Sequence, residues 1–104
     1  SAIVDKCFFE IATSGYVASY CWEDNSASLE KKWSVDLDWL PNYLGTLNDN
    51  LVLLDRGKNT VVELNLNSGL QKNTYPVLWP ASDYNMINNN IIIKSKKLLY
   101  VVTI

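Results

Sequence analysis

The chain has 104 residues, of which 48% are hydrophobic and 19% charged, and its formal net charge at pH 7 is -2. This balance predicts one folded unit and excludes a disordered chain, because disorder requires low hydrophobicity combined with high net charge. No run of like charges exceeds two residues, and no apolar run approaches the roughly 20 residues of a membrane span, so we expect neither nucleic-acid binding nor membrane insertion.

The predicted elements are all β-strands, because no stretch shows the three-to-four-residue apolar spacing of a helix. Ten runs of β-prone residues are predicted as strands, in chain order 6–12, 16–22, 32–37, 43–47, 51–55, 60–66, 71–77, 84–87, 90–95 and 98–104. A short hairpin connection, Thr13-Ser14-Gly15, joins the first two strands, and a polar loop at 24–29 follows them. Connectors containing Pro41 and Pro80 divide the strands into three groups, and the strand at 71–77 is expected to lie at a sheet edge.

Part of the sequence repeats. Shifting residues 47–53 forward by forty places them on residues 87–93, with apolar residues on apolar residues and turn residues on turn residues. A backward shift by thirty-five matches less well and brings Gly15 under Asn50. A period of about 35 to 40 residues is typical of a four-stranded propeller blade. The alternative is a plain meander, in which any pair of Asn-rich turns would align.

Two segments resemble a known repeat. Residues 59–72 resemble the third strand, the Asp-x-x-Thr-Gly-type turn and the start of the fourth strand of a quinoprotein-type (PQQ-like) β-propeller repeat, with Asn65 in place of the usual Asp. Residues 29–37 resemble the end of such a repeat, with Trp33 at the position of its Trp, although residues 26–28 replace the Thr-Gly of the turn. WD40-like and kelch-like blades share these features. The resemblance implies that Trp33 packs inside a blade.

The fold class we predict is therefore all-β, with antiparallel meanders forming a β-propeller-like segment of about two to three blades; a small β-sandwich or barrel is the alternative. The blade-like repeats are expected at about 3–37, 43–77 and 83–104. Closed propellers have about four to eight blades, so we expect the single all-β unit to belong to a larger propeller or to be completed by another polypeptide. The last predicted strand begins at Leu98 and ends at Ile104, and a protein partner is expected to complete this sheet edge.

The sequence contains no His, which excludes Ser-His-Asp and Cys-His catalytic sets and His-ligated metal sites. Most of the aspartates lie at predicted turns, where the side chain hydrogen-bonds the backbone, and the four glycines are isolated, so no phosphate-binding loop is present. We therefore predict a protein that is not an enzyme, with no catalytic residues, cofactor or metal. Gly57 and Gly69 are interpreted as turn residues with positive φ.

Cys7 and Cys21 lie fourteen residues apart in apolar strand-like runs, without a CxxC motif. We interpret them as buried thiols, with a disulfide as the less favoured alternative. The sequence also lacks any Asn-x-Ser/Thr acceptor for glycosylation. The sequence does not determine the cellular compartment, and an intracellular location is slightly favoured.

The best functional signal is the content of four Trp and six Tyr residues, because aromatic side chains anchor protein partners and sugars. Trp39 and Trp79 each lie in a Pro-containing connector, and Trp22 ends a strand before a polar loop. These three residues are the predicted partner-binding candidates. The predicted function is a non-enzymatic protein-interaction scaffold; the alternative is a small carbohydrate- or peptide-binding β-sandwich module that uses exposed Trp and Tyr side chains.

Overall fold

The computed structural model describes residues 2–22, 28–76, 83–88, 90–94 and 99–103. These residues form eleven strands and no helix, which confirms the all-β class. The strands are β1 (Ala2–Val4), β2 (Cys7–Ile11), β3 (Tyr16–Trp22), β4 (Leu29–Asp36), β5 (Pro41–Leu47), β6 (Asn50–Asp55), β7 (Thr60–Asn65), β8 (Gln71–Pro76), β9 (Asp83–Ile87), β10 (Asn90–Lys94) and β11 (Leu99–Thr103). All ten predicted strands have a counterpart, and only the three-residue β1 was not predicted. The second predicted connector, 78–82, lies outside the described residues.

The strands form three open sheets, each an antiparallel meander of strands that are consecutive in the chain. The first sheet has the order β1-β2-β3-β4, the second β5-β6-β7-β8 and the third β11-β10-β9. The predicted edge position of β8 is confirmed. None of the described sheets closes on itself, so the barrel alternative is wrong, whereas open meanders fit either propeller blades or the layers of a sandwich.

The turns set the registers of these meanders. Asn48 and Asp49, between β5 and β6, both have positive φ (48° and 64°), as a two-residue type I′ hairpin requires. Asn88 has a φ of 53° at the matching place between β9 and β10, so the forward shift of forty relates equivalent hairpins of the second and third sheets. Gly69 has the predicted positive φ, but the prediction for Gly57 was wrong, because Asn59 takes positive φ in that turn.

The fourth strands of the first two sheets, β4 and β8, each contain an irregularity. In the first sheet the register between β3 and β4 shifts at Lys32, which forms a bulge, and in the second sheet the register between β7 and β8 shifts in the same way at Lys72. These two bulged lysines are forty residues apart. The backward shift by thirty-five, in contrast, places β3 under β6, the third strand of one sheet under the second strand of the next, and so does not follow the sheet order.

The second sheet is the middle layer and is buried on both faces. On one face, Leu51 and Leu53 of β6 pack with Phe9 of the first sheet. On the other face, Val52 packs with Ile91 of the third sheet. Because both faces of the second sheet are covered, β6 has apolar residues at successive positions instead of an alternation of apolar and polar residues. Burial of each such side chain stabilises the fold by about 1.5 to 3 kcal/mol.

Candidate functional site

A cleft of about 390 Å³ opens where the connector between β4 and β5 passes the ends of the first and second sheets. We call it the connector cleft. It is lined by Thr13, Trp39, Leu40, Pro41, Asn42, Asp55, Arg56 and Gly57. These residues come from the β2–β3 turn, the connector with the start of β5, and the β6–β7 turn. The fold therefore assembles the cleft from three separate parts of the chain.

The apolar side of the connector cleft is rigidly supported. Trp39 is half-buried and packs against the core cluster between the first and second sheets. Pro41 is buried as the first residue of the edge strand β5, a position at which the missing N–H of proline is tolerated. The backbone amide of Leu37 donates to the carbonyl oxygen of Gly15 at 2.8 Å and ties the connector to the β2–β3 turn. Leu40, between these anchors, is 67% exposed.

The polar side of the connector cleft is formed by the end of β6 and its turn. Asp55 is buried, and its Oδ1 accepts hydrogen bonds from the backbone amides of Gly57 at 3.0 Å and Lys58 at 3.3 Å. This confirms for Asp55 the predicted turn role of the aspartates. With the amide of Asn42 oriented by its hydrogen bonds, its side-chain oxygen accepts from Arg56 Nε at 3.0 Å and Nη2 at 3.2 Å. The guanidinium of Arg56 is thereby held at the cleft that Leu40 also lines.

The three predicted partner-binding residues are not brought together. Trp39 lines the connector cleft. Trp22, 38% exposed, lies at the opposite end of β3 from the β2–β3 turn, paired with the exposed Leu29 of β4. Trp79 lies outside the described residues. Arg56 and Leu40 were not predicted, because their proximity depends on how the sheets meet and no local pattern indicates it.

Trp33 packs between the first and second sheets. Its Nε1–H donates to the carbonyl oxygen of Leu66 at 2.8 Å. Its ring lies 6.1 Å from the ring of Phe9, measured between centroids. A Cβ added to Gly69 would lie 2.5 Å from Cε3 of the indole. Trp33 therefore fixes the first sheet to the β7–β8 turn of the second sheet.

The outer face of the first sheet, turned away from the second sheet, carries aromatic side chains. Tyr16, Tyr20 and Trp22 occupy alternate positions of β3, and Phe8 of β2 pairs with Tyr20. Lys31 Nζ lies 5.5 Å from the centroid of the Tyr16 ring. Hydrogen bonding to Lys31 lowers the pKa of Tyr16, and the hydrogen bond to Tyr16 raises the pKa of Tyr20. We call this surface the aromatic face.

The interpretation of the cysteines as buried thiols was wrong. Cys7 and Cys21 are directly opposite on β2 and β3, with Cα atoms 4.1 Å apart, and form a disulfide. Both are half-buried, at the edge of the contact between the first and second sheets.

Within the described ranges, no group of three or more Cys, Asp and Glu side chains is arranged to hold a metal ion. In the same part of the chain, no helix is long and apolar enough to cross a membrane. Comparison of the sequence with protein-family models and with curated proteins finds no match.

Proposed function

We propose that the chain is a non-enzymatic protein-interaction scaffold, built from blade-like sheets of the propeller type, that binds a partner polypeptide in the connector cleft. The observation that carries this proposal is the position of Leu40, an exposed large apolar side chain held between a packed Trp39 and a buried Pro41. An exposed apolar residue on rigid support loses little conformational entropy on binding, so it is an efficient anchor.

The propeller assignment is supported by recurrence. The first two sheets are four-stranded meanders with a bulged lysine at the same place in the fourth strand, and the first turns of the second and third sheets each begin with an Asn at positive φ. Adjacent sheets pack face to face, as successive blades do. In such a stack the strands form the scaffold, and the connectors at the ends present side chains to partners.

The chemistry of the connector cleft defines the partner. Trp39, Leu40 and Pro41 form an apolar wall that suits a Leu, Ile, Met or aromatic side chain, and the guanidinium of Arg56 suits a nearby carboxylate. A volume of about 390 Å³ accommodates one or two side chains and is too small for a folded domain. The expected ligand is therefore an exposed peptide segment with an apolar residue next to Asp or Glu.

Selection from a random peptide library displayed on phage tests this proposal. We expect enrichment of peptides with an apolar residue beside an acidic one. Leu40→Ala should weaken their binding by about tenfold or more, because about 1.4 kcal/mol of apolar burial is lost at the contact. Affinity is measured by fluorescence anisotropy of the labelled peptide, and the melting temperature should stay unchanged because Leu40 is mostly exposed.

Leu70→Ala is the matched control. Leu70 is 64% exposed, close to the 67% of Leu40, but follows β7 and does not line the connector cleft. Its replacement should leave peptide affinity unchanged. Selected peptides that bind Leu40→Ala as tightly as the unmodified protein would exclude the connector cleft as their site.

The aromatic face supports a second candidate function, carbohydrate binding. Trp22 is 38% exposed and shares the face with Tyr16 and Tyr20, so it offers a flat apolar surface beside hydroxyl groups. A sugar ring stacked on Trp22 should change the tryptophan fluorescence, and Trp22→Ala should abolish that change. A glycan array without hits would remove this candidate.

The disulfide bears on the compartment of this scaffold. Disulfides persist where thiols are oxidised and are rare in the cytosol. The Cys7–Cys21 bridge thus favours an oxidising compartment over the intracellular location expected from the sequence.

A further inference from the structure

The Cys7–Cys21 disulfide is accessible from two clefts, at the place where the first sheet meets the turns of the second sheet. Both cysteines are half-buried. One cleft, of about 90 Å³, reaches Cys7 but not Cys21. The other, of about 260 Å³, reaches both. A thiol therefore has access to the bridge in the folded protein, and access is one of the conditions for thiol–disulfide exchange.

The order of the strands decides which sulfur is open to attack. A thiolate attacks one sulfur along the S–S axis, from the side opposite to the sulfur that leaves. Because β2 lies between β1 and β3, Cys7 is paired with Val4 on one side and with Cys21 on the other. The smaller cleft lies on the Val4 side, since Val4 and Asp5 line it. It is placed for attack on Cys7 with Cys21 as the leaving sulfur, and we call it the entry cleft.

The larger cleft stabilises the leaving sulfur, and we call it the exit cleft. The hydroxyl of the buried Ser19 lies 3.7 Å from Cys21 Sγ, and it is the donor because a disulfide sulfur carries no hydrogen. This hydrogen bond becomes charge-assisted when Cys21 leaves as a thiolate, and such bonds are roughly twice as strong as neutral ones. Lys32 also lines the exit cleft, but its Nζ is paired with Glu30 at 3.3 Å. The ion pair adds little net charge, so Ser19 supplies most of the stabilisation.

The entry cleft selects a thiol by size and charge. Its volume of about 90 Å³ holds roughly six non-hydrogen atoms, at about 15 Å³ for each water-sized group. Asp5 and Asp49 line it, and none of the described residues that line it is basic. Two carboxylates attract a cation and repel an anion, most strongly at low salt. A short thiol with a positive charge therefore fits the entry cleft.

We propose that the Cys7–Cys21 bridge is a site of reversible thiol–disulfide exchange that takes a small cationic aminothiol through the entry cleft. The thiolate sulfur bonds to Cys7 Sγ as the S–S bond breaks, and the bonding electron pair leaves on Cys21 Sγ, which takes up the proton that the attacking thiol released. The products are a mixed disulfide on Cys7 and a thiol on Cys21. One disulfide replaces another, so no further oxidant or reductant is consumed. Attack of Cys21 on the mixed disulfide reverses the reaction.

Mass spectrometry of the protein treated with cysteamine and then alkylated with iodoacetamide tests this assignment. Proteolytic cleavage after Glu10 separates the two cysteines. We expect the aminothiol on Cys7 and the alkyl group on Cys21, in about tenfold excess over the reverse arrangement. The rate should not depend on urea below the unfolding transition, whereas exchange through the unfolded chain would rise steeply with urea. Equal labelling of the two cysteines, or a rate that rises with urea in that range, overturns the inference.

The charge selectivity is measured with mercaptoethanesulfonate, an anionic thiol of similar length. With rates corrected for thiolate concentration, cysteamine should react about tenfold faster at low salt. Asp5→Asn and Asp49→Asn should each lower this preference, and Asn tolerates the positive φ of both residues (53° and 64°). Asp36→Asn is the matched control, because Asp36 is exposed in the same sheet and lines neither cleft, so the preference should not change. Equal rates for the two thiols on the unmodified protein would exclude a cationic thiol as the preferred reactant.

Ser19→Ala tests the exit cleft. Loss of the charge-assisted hydrogen bond should slow formation of the mixed disulfide about tenfold. Ser34→Ala is the matched control, since Ser34 is exposed on β4 and lines neither cleft, and the rate should stay unchanged. Circular dichroism verifies that both variants fold. An unchanged rate in folded Ser19→Ala would contradict stabilisation of Cys21 as the leaving sulfur. Peptide binding in the connector cleft would stand in each of these cases, because that cleft lies at the opposite end of β2 and β3 and is tested through Leu40.

Discussion

Replacement of Trp33 by alanine is expected to lower the free energy of unfolding by about 3 kcal/mol, the lower end of the range for a Trp-to-Ala change in a core, because Trp33 is half-buried. The variant loses the packing of the indole on Phe9 and the hydrogen bond from Nε1 to Leu66. This is a large part of the roughly 5 to 15 kcal/mol that stabilises a typical domain. Urea denaturation followed by circular dichroism measures it.

Gly69→Ala tests the same junction from the other side. At a φ of +74°, a non-glycine residue is strained, and the added Cβ would lie 2.5 to 2.9 Å from three atoms of the Trp33 ring. We expect a loss of about 2 to 4 kcal/mol from strain and overpacking together. In the Trp33→Ala background the clash is absent, so Gly69→Ala should cost only about 1 kcal/mol there. This non-additivity distinguishes a direct contact from two independent defects.

Trp22→Ala is the control for the loss of a tryptophan. Trp22 is exposed on the aromatic face and does not belong to either core cluster. Its replacement should change the free energy of unfolding by about 0.5 kcal/mol or less, as for most surface substitutions. Equal losses for Trp22→Ala and Trp33→Ala would contradict the role of Trp33 as the link between the first two sheets.

The fold class and the strands could be predicted because the turn chemistry is local. Asn48 and Asp49 have positive φ in a tight turn, and the sequence there already indicates a turn between two apolar runs. The layer order was not predictable in the same way. It depends on which face of β6 each side chain occupies, and an uninterrupted apolar run gives no alternation from which to assign faces.

The disulfide was missed although the sequence contained the signal for it. The predicted hairpin is centred on Ser14, and counting outward equally from that residue pairs Cys7 with Cys21, as in the observed register. The composition of the flanking runs had favoured buried thiols instead. Register is the stronger signal, because directly opposed residues of an antiparallel pair are close enough to be bridged.

The connector cleft could not be predicted because it is assembled from distant parts of the chain. Trp39 was identified from its place in a proline-containing connector, but Thr13 and Arg56 are brought to it only by the contact between the first and second sheets. The electrostatic part of the site thus follows from tertiary structure, whereas Trp39 on its apolar side could be identified from one short segment.

Removal of the disulfide should destabilise the protein by about 3 kcal/mol, the chain-entropy estimate for a loop of about 15 residues. The bridge spans a sequence separation of 14 and limits the conformations of the unfolded chain. The variant carrying both Cys7→Ala and Cys21→Ala should therefore unfold at lower urea concentration. The unfolding free energy of this variant should also fall more steeply with urea concentration, because an unfolded chain without the bridge is less compact and exposes more surface.

Treatment with a reducing agent distinguishes the stability that comes from the disulfide from the stability that comes from packing of the two side chains. Dithiothreitol should shift the urea midpoint of the unmodified protein towards that of the double variant and leave the double variant unchanged. Thiol titration of the denatured protein without reductant should detect no free thiol among Cys7 and Cys21. Two titratable thiols under those conditions, in protein purified without reductant, would contradict the bridge; the hairpin register alone would then hold these half-buried side chains opposite each other across β2 and β3.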